Sequence, residues 1–245
     1  MMSGITPALL ARLQEFDTPT ICNIIELFEV RPRNQGFMDR NIVAAFPEMK
    51  PMVGFASTIS CRTSYDPRMG SDDYAGLDDQ IRAFGELDGP AVVVFQDLDD
   101  PPLAATFGEV MCTSYQKFGS VGLITSGPGR DLDQVRDIGF PVFTDGANCS
   151  HGYITMSALH APVQVGGLAV YANDLLHGDL NGVTNIPQEI AVEVAEIGQE
   201  FVDCERVVLD ALAQDDLTIE QYSEAREEMG RMQTALRQRV TRRRG

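Results

Sequence analysis

An α/β fold with added C-terminal helices is predicted by three features of the 245-residue chain. Its middle alternates short apolar runs with amphipathic segments. The stretch that follows is punctuated by Asn, Gly and Asp turns, and the end of the chain reads as two long helices. The runs AVVVFQD (91–97) and VGLITS (121–126) are continuous rather than alternating, which marks strands buried on both faces.

Taken in order, residues 5–30 read as helical, with Thr18 as a cap and Pro19 at the first helical position. MVGFASTISCRT predicts a strand near 52–62, and SDDYAGLDDQIRAFGELD a helix closed by Gly89–Pro90. DLDDPPLAA is loop, and FGEVMCTSYQKFG gives a helix from Gly108 to Phe118. After the strand at 121–126, SGPGRDLDQVRDIGFPVF supplies a Gly-Pro-Gly turn, a short helix to Ile138 and a further strand, PVFTDG. Strand–helix–strand–helix–strand in this order predicts a right-handed parallel unit. APVQVGGLAVYANDLLHGDLNGVTNIP is closer to a β-meander, and helices over Gln188–Leu212 and TIEQYSEAREEMGRMQTAL complete the chain. The expected division is a main domain over 1–212 and a helical extension with a basic tail over 213–245.

Composition bounds the function. A hydrophobic fraction of 44% supports a sizeable core, and no apolar run reaches the ~18 residues a membrane helix needs. MMSGITPALLARLQEF lacks the basic start and apolar block of a signal peptide, so a cytoplasmic protein with no membrane partner is expected. The net charge of −17 argues against nucleic acid binding over the general surface. The basic tail RQRVTRRRG reads as a solvated terminus, with docking to an acidic partner as the sharper alternative. Five scattered cysteines without CxxC and three histidines exclude a disulfide framework and a His-rich metal centre. Any bound metal would need oxygen ligands.

One spacing carries chemistry. A helix starting at Gly108 runs back about 16 Å at ~1.5 Å per residue, and the strand at 121–126 returns about 20 Å at ~3.3 Å per residue. Arg130 and Asp131 are thereby expected beside Gly108 and Glu109, at the carboxyl edge of parallel strands where open α/β sheets take ligands. The first-turn N–H groups at Gly108, Glu109, Val110 and Met111, with the positive end of the helix dipole behind them, suit a carboxylate or phosphate. Arg130 adds a planar fork, and Asp131 and Glu109 are hard oxygen groups suited to Mg²⁺ or Mn²⁺, directly or through water. The bland reading of the same residues is a helix cap with a surface ion pair.

These motifs resemble the RraA-like family, which includes the divalent-metal-dependent 4-hydroxy-4-methyl-2-oxoglutarate aldolases. The pattern is an acidic residue after Gly, twenty residues, then Arg-Asp, present here as Gly108-Glu109 and, within GPGRD, Arg130-Asp131. PVQVGGLAVYANDLLHGDLNGVTNIP continues the resemblance, which covers residues 15–205. It implies a three-layer β/β/α sandwich of swivelling-domain type and a homotrimer or hexamer. By position it implies that Asp131 ligates Mg²⁺ or Mn²⁺, Glu109 holds a metal-bound water, Arg130 stabilises an enolate, and the Gly108–Met111 backbone grips the substrate carboxylate. The implied activity is that of a lyase, retro-aldol release of pyruvate from a 4-hydroxy-2-oxo acid, with oxaloacetate decarboxylation by the same route. The competing expectation from the same family is a non-catalytic protein-binding regulator of a ribonuclease.

Three smaller candidates remain. Asp174, His177 and Asp179 in DLLHGD form a possible metal cluster, for which turn chemistry is the simpler explanation. His151 could line the pocket as an acid or base. Cys112 and Cys149 read as small buried apolar residues.

Overall fold

The computed structural model describes residues 4–64 and 74–240. The start of the helix expected in SDDYAGLDDQIRAFGELD and the end of the basic tail lie outside those residues. The chain forms α1 (Pro7–Leu13), α2 (Thr18–Leu27), β1 (Val43–Ala44), β2 (Met52–Arg62), α3 (Leu77–Ala83) and β3 (Ala91–Asp97). It continues through α4 (Glu109–Lys117), β4 (Ser120–Thr125), α5 (Leu132–Asp137), β5 (Val142–Thr144) and β6 (Thr155–Leu159). Then follow β7 (Val163–Val165), β8 (Leu168–Val170), β9 (Leu175–Asp179), β10 (Gly182–Ile186), α6 (Ala191–Leu212) and α7 (Ile219–Val240).

The main sheet runs β1-β5-β4-β3-β2-β9-β10, with β6 also paired to β2. β2, β3, β4 and β5 are mutually parallel, and the flanking pairs are antiparallel. The alternate residues of β3 show why its sequence is apolar throughout. Ala91, Val93 and Phe95 pack with Cys112, Tyr115 and Val135 of the α4–α5 layer. Val92 and Val94 pack on the other face with Val163, Val165, Leu168 and Val170 of the small β7–β8 sheet. Helix layer, main sheet and second sheet are the β/β/α sandwich expected, with a second helical group (α1, α2, α6 and α7) sharing a core with Val53, Phe55, Leu175 and Ile186.

The N-terminal helix differs from the single segment expected over 5–30. It breaks into α1 and α2, and the second helix is capped by Asp17, whose carboxylate accepts the Thr20 N–H at 2.7 Å. Thr18 is already helical, and its hydroxyl is committed elsewhere, to the ring of His177 at 2.9 Å. The long helix after Pro187 likewise starts as a turn of 3₁₀ helix, Gln188–Ile190, before α6.

Candidate functional site

The Gly-Pro-Gly turn is held from two sides. Thr106 N–H donates to Pro128 O and Arg130 N–H to Phe107 O, while Gly129 N–H donates to Gly146 O and Asn148 N–H to Gly129 O. Gly129 lies under the Phe107 ring, where a Cβ would fall 1.9 Å from Cζ, so any other residue would have to displace that buried ring. The turn is thus laced between the approach to α4 and the loop after β5, and it delivers Arg130 and Asp131 to the start of α4 as the spacing predicts.

What Asp131 does there is local. Its backbone is left-handed (φ 56°, ψ 40°), a conformation that Asp and Asn tolerate better than most residues. Its side chain leaves α5, which it precedes, and reaches across to α4, where Oδ2 accepts the Glu109 N–H at 3.0 Å. Gly108 makes room, since a Cβ would lie 2.6 Å from that oxygen. Arg130 Nε stands 3.8 Å from the same oxygen, with both side chains more than a third exposed. A carboxylate therefore occupies the helix N-terminus, and it belongs to the chain itself.

Around this pair lies a cavity of about 280 Å³, lined by Leu77, Thr106, Phe107, Val110, Met111 and Ile154 together with Gly108, Arg130, Asp131 and His151. His151 is thus placed at the cavity, with Nδ1 2.8 Å from the carbonyl of Gly152, so that nitrogen carries the hydrogen. Leu77, Phe107 and Ile154 were missed in the sequence. Their apolar spacing reads as core, and only the fold turns them towards Arg130.

Behind the turn stands a second acidic pair at the end of β3. Burial pushes the Asp97 carboxyl up, offset in part by the Asp99 N–H that its Oδ1 accepts at 2.9 Å. Burial would raise Asp99 as well, but the N–H groups of Thr63 and Ser64 and the Arg62 guanidinium outweigh it and hold Asp99 down. The sequence of DLDDPP reads only as loop and carries no signal for the roles of these side chains.

The metal expectation is corrected here. Among the described residues no three His, Cys, Asp or Glu side chains come together so as to hold a metal ion. The expected donors do not converge: Asp131 turns one oxygen to the α4 backbone, and Glu109 contributes its N–H to that bond while its side chain is exposed. The Mg²⁺ or Mn²⁺ site thus has no donor set among the described residues, and the pyruvate-releasing lyase and decarboxylase reading that rested on it is not supported. DLLHGD is no metal cluster either. Asp174 accepts the Tyr171 N–H, Asp179 accepts the N–H groups of Thr18 and Asn181, and His177 is fully buried. Cys112 is buried as expected, with its thiol pushed up to about 12 by burial and by Asp131, whereas Cys149 is exposed.

The RraA-like family model, described as Aldolase/RraA, matches residues 18–184. The chain belongs to the RraA-like family. Its fold superposes on that of an uncharacterized protein from Pseudomonas syringae pv. tomato with a TM-score of 0.71 at 20% identity, covering 93% of this chain and 96% of that one. It also matches Streptomyces coelicolor RraAS2, described as "an unusual member of the RNase ES inhibitor RraA protein family", with a TM-score of 0.66 at 19% identity over 82% of this chain and 96% of that one. A protein of Halalkalibacterium halodurans, named "Putative 4-hydroxy-4-methyl-2-oxoglutarate aldolase", is 27% identical over 100 residues. That match spans 40% of this chain and 48% of that protein, about half of its length. Among the described residues no helix is long and apolar enough to cross a membrane.

Proposed function

We propose that this chain is a non-catalytic, protein-binding regulator of RraA type that acts on a ribonuclease. The observation that carries the reading is the bond from Glu109 N–H to Asp131 Oδ2: the carboxylate on which a metal-dependent reaction would turn is engaged as a helix cap. The family supplies the class of partner, through the description of RraAS2 as a member of a ribonuclease-inhibitor family. Charge supports it as well. A chain of net −17 is attracted to the basic surfaces with which RNA-processing enzymes hold phosphates, and such attraction accelerates encounter and weakens with salt. The ring of three or six copies implied by the family resemblance belongs to this reading.

The experiment is a calorimetric titration of the full chain into a purified RNase E-type ribonuclease from the same organism, over a series of salt concentrations. Saturable binding that weakens as salt rises towards 0.5 M is expected. No heat and no complex at the lowest salt would overturn the proposal.

A further inference from the structure

Helices α6 and α7 lie beyond residues 18–184, the span that the family model matches. They form an antiparallel hairpin, pinned near its base where Arg239 Nη2 meets Glu200 Oε1 at 2.7 Å. The base is buried. Val194, Ile197, Phe201 and Cys204 of α6 and Leu236 of α7 belong to the core shared with α1 and α2. Between Cys204 and Met229 no side chain joins that core. At ~1.5 Å per residue, the end of α6 from Cys204 to Leu212 reaches about 12 Å past it.

The projecting end carries apolar and acidic side chains together. Leu209 (63% exposed) and Leu212 (53%) stand one turn apart on the same face of α6, and Ile219 (68%) opens α7. A single exposed aliphatic needs no explanation, but three gathered at the turn of one hairpin mark a contact surface. Asp210, Asp215, Asp216, Glu220, Glu224 and Glu227 share this end of the hairpin. All six are exposed, and among the described residues none makes an ion pair or a side-chain hydrogen bond. The chain supplies counter-charges in other places, Arg33 to Glu26, Arg62 to Asp99 and Arg239 to Glu200. Between 207 and 230 its only cation is Arg226, which lies over the Tyr222 ring, 5.9 Å from the centroid.

We propose that the turn of the α6–α7 hairpin is a docking surface and that its occupant is a basic amphipathic helix of the partner ribonuclease. Leucines one turn apart accept aliphatic side chains presented at i, i+3 or i+4, and the unpaired carboxylates meet the lysines and arginines that flank them. At about 0.1 M salt the screening length is about 10 Å, so neighbouring carboxylates at this end repel one another. A cationic partner relieves that repulsion, whereas an acidic one, including a second copy presenting the same face, increases it. The identity of the partner rests on the regulator reading, and the surface itself is tested without it.

Binding of the full chain to a labelled helical peptide of lysine and leucine, its leucines on one face, is followed by fluorescence anisotropy at about 0.1 M salt. The same peptide with serine in place of leucine is expected to bind more weakly. Leu209→Gln with Leu212→Gln and Ile219→Gln should weaken the leucine peptide about tenfold, and so should Asp215→Asn with Asp216→Asn and Glu220→Gln. Glu15→Gln with Asp137→Asn and Glu189→Gln removes three exposed charges outside the hairpin and should change little. Circular dichroism confirms that each variant is folded. Absence of binding, equal affinity for the two peptides, or equal weakening by all three variants overturns the proposal. The variants are then titrated into the RNase E-type ribonuclease, where the same order of losses is expected. Undiminished binding of both hairpin variants overturns the docking surface and leaves the regulator reading intact. A wild-type chain that binds the peptide as expected but not the ribonuclease overturns the ribonuclease as partner, and the regulator reading with it, while the surface stands.

Discussion

Asp131 and Asp179 perform the same act in two settings. Each is a carboxylate from a distant part of the chain that accepts an N–H at the start of a helix, Asp131 from Glu109 of α4 and Asp179 from Thr18 of α2. The family resemblance implies a metal ligand at Asp131, whereas for Asp179 turn chemistry is the simpler expectation from the sequence. Asp179 is 6% exposed and shares its site with a fully buried imidazole, whereas Asp131 is exposed and opens onto a cavity. The same bond is therefore part of the core in one place and part of the surface in the other. A carboxylate at a helix N-terminus reports helix capping before it reports chemistry.

The buried member should be the more costly to remove. Asp179→Ala leaves the Thr18 N–H without its acceptor inside the protein, and the expected loss is about 2–3 kcal/mol by urea unfolding. A loss below that of Asp131→Ala would erase the distinction between the two sites.

The His177 ring beside Asp179 makes the buried site pH-sensitive. The carbonyl of Leu13 can only accept, so Nε2 carries the hydrogen and Nδ1 accepts from the Thr18 hydroxyl, which fixes a neutral imidazole. Burial holds its pKa below the ordinary value. The unfolded chain then binds the proton first, near a pH of about 6.5, so stability is complete above that pH and is lost as pH falls below it. Unfolding free energy measured from pH 7.5 to 5.5 should decline in the wild type and decline less in His177→Gln. Equal slopes would remove His177 from the account.

At the exposed site the effects are smaller. Asp131→Ala loses the cap of α4 and places alanine in a left-handed conformation, with an expected cost of about 1–2 kcal/mol. Asp131→Asn keeps both the acceptor and the backbone preference and should recover most of it. Arg130→Ala should change stability by no more than ~0.5 kcal/mol, because the 3.8 Å pair is solvated on both sides.

The parts of the fold carried by local pattern were readable from residues alone. Continuous apolar runs placed β3 and β4, and one helix down plus one strand up placed Arg130 beside Gly108. Short strands in the stretch that holds β7 and β8 are legible from its turn residues, but their separation into a second layer came only from the family resemblance, since three-residue strands carry little periodicity. The direction of the Asp131 side chain was not readable. It follows from the left-handed backbone at that residue and from the absence of a Cβ at Gly108, which are properties of the folded turn. Thr18 is the cap expected from the sequence, but Asp17 also fits the rule for a cap, and in the fold Asp17 accepts the Thr20 N–H while the Thr18 hydroxyl is bonded to His177.

The central claim is regulation by binding with Asp131 as a structural cap. It is tested most directly by the rate at which an RNase E-type ribonuclease of the same organism cleaves RNA as wild-type chain or Asp131→Asn is added. The account predicts a rate that falls to a plateau as the binding sites fill, by the same amount with either protein. A cleavage rate unchanged by a large excess of the folded wild-type chain would contradict it.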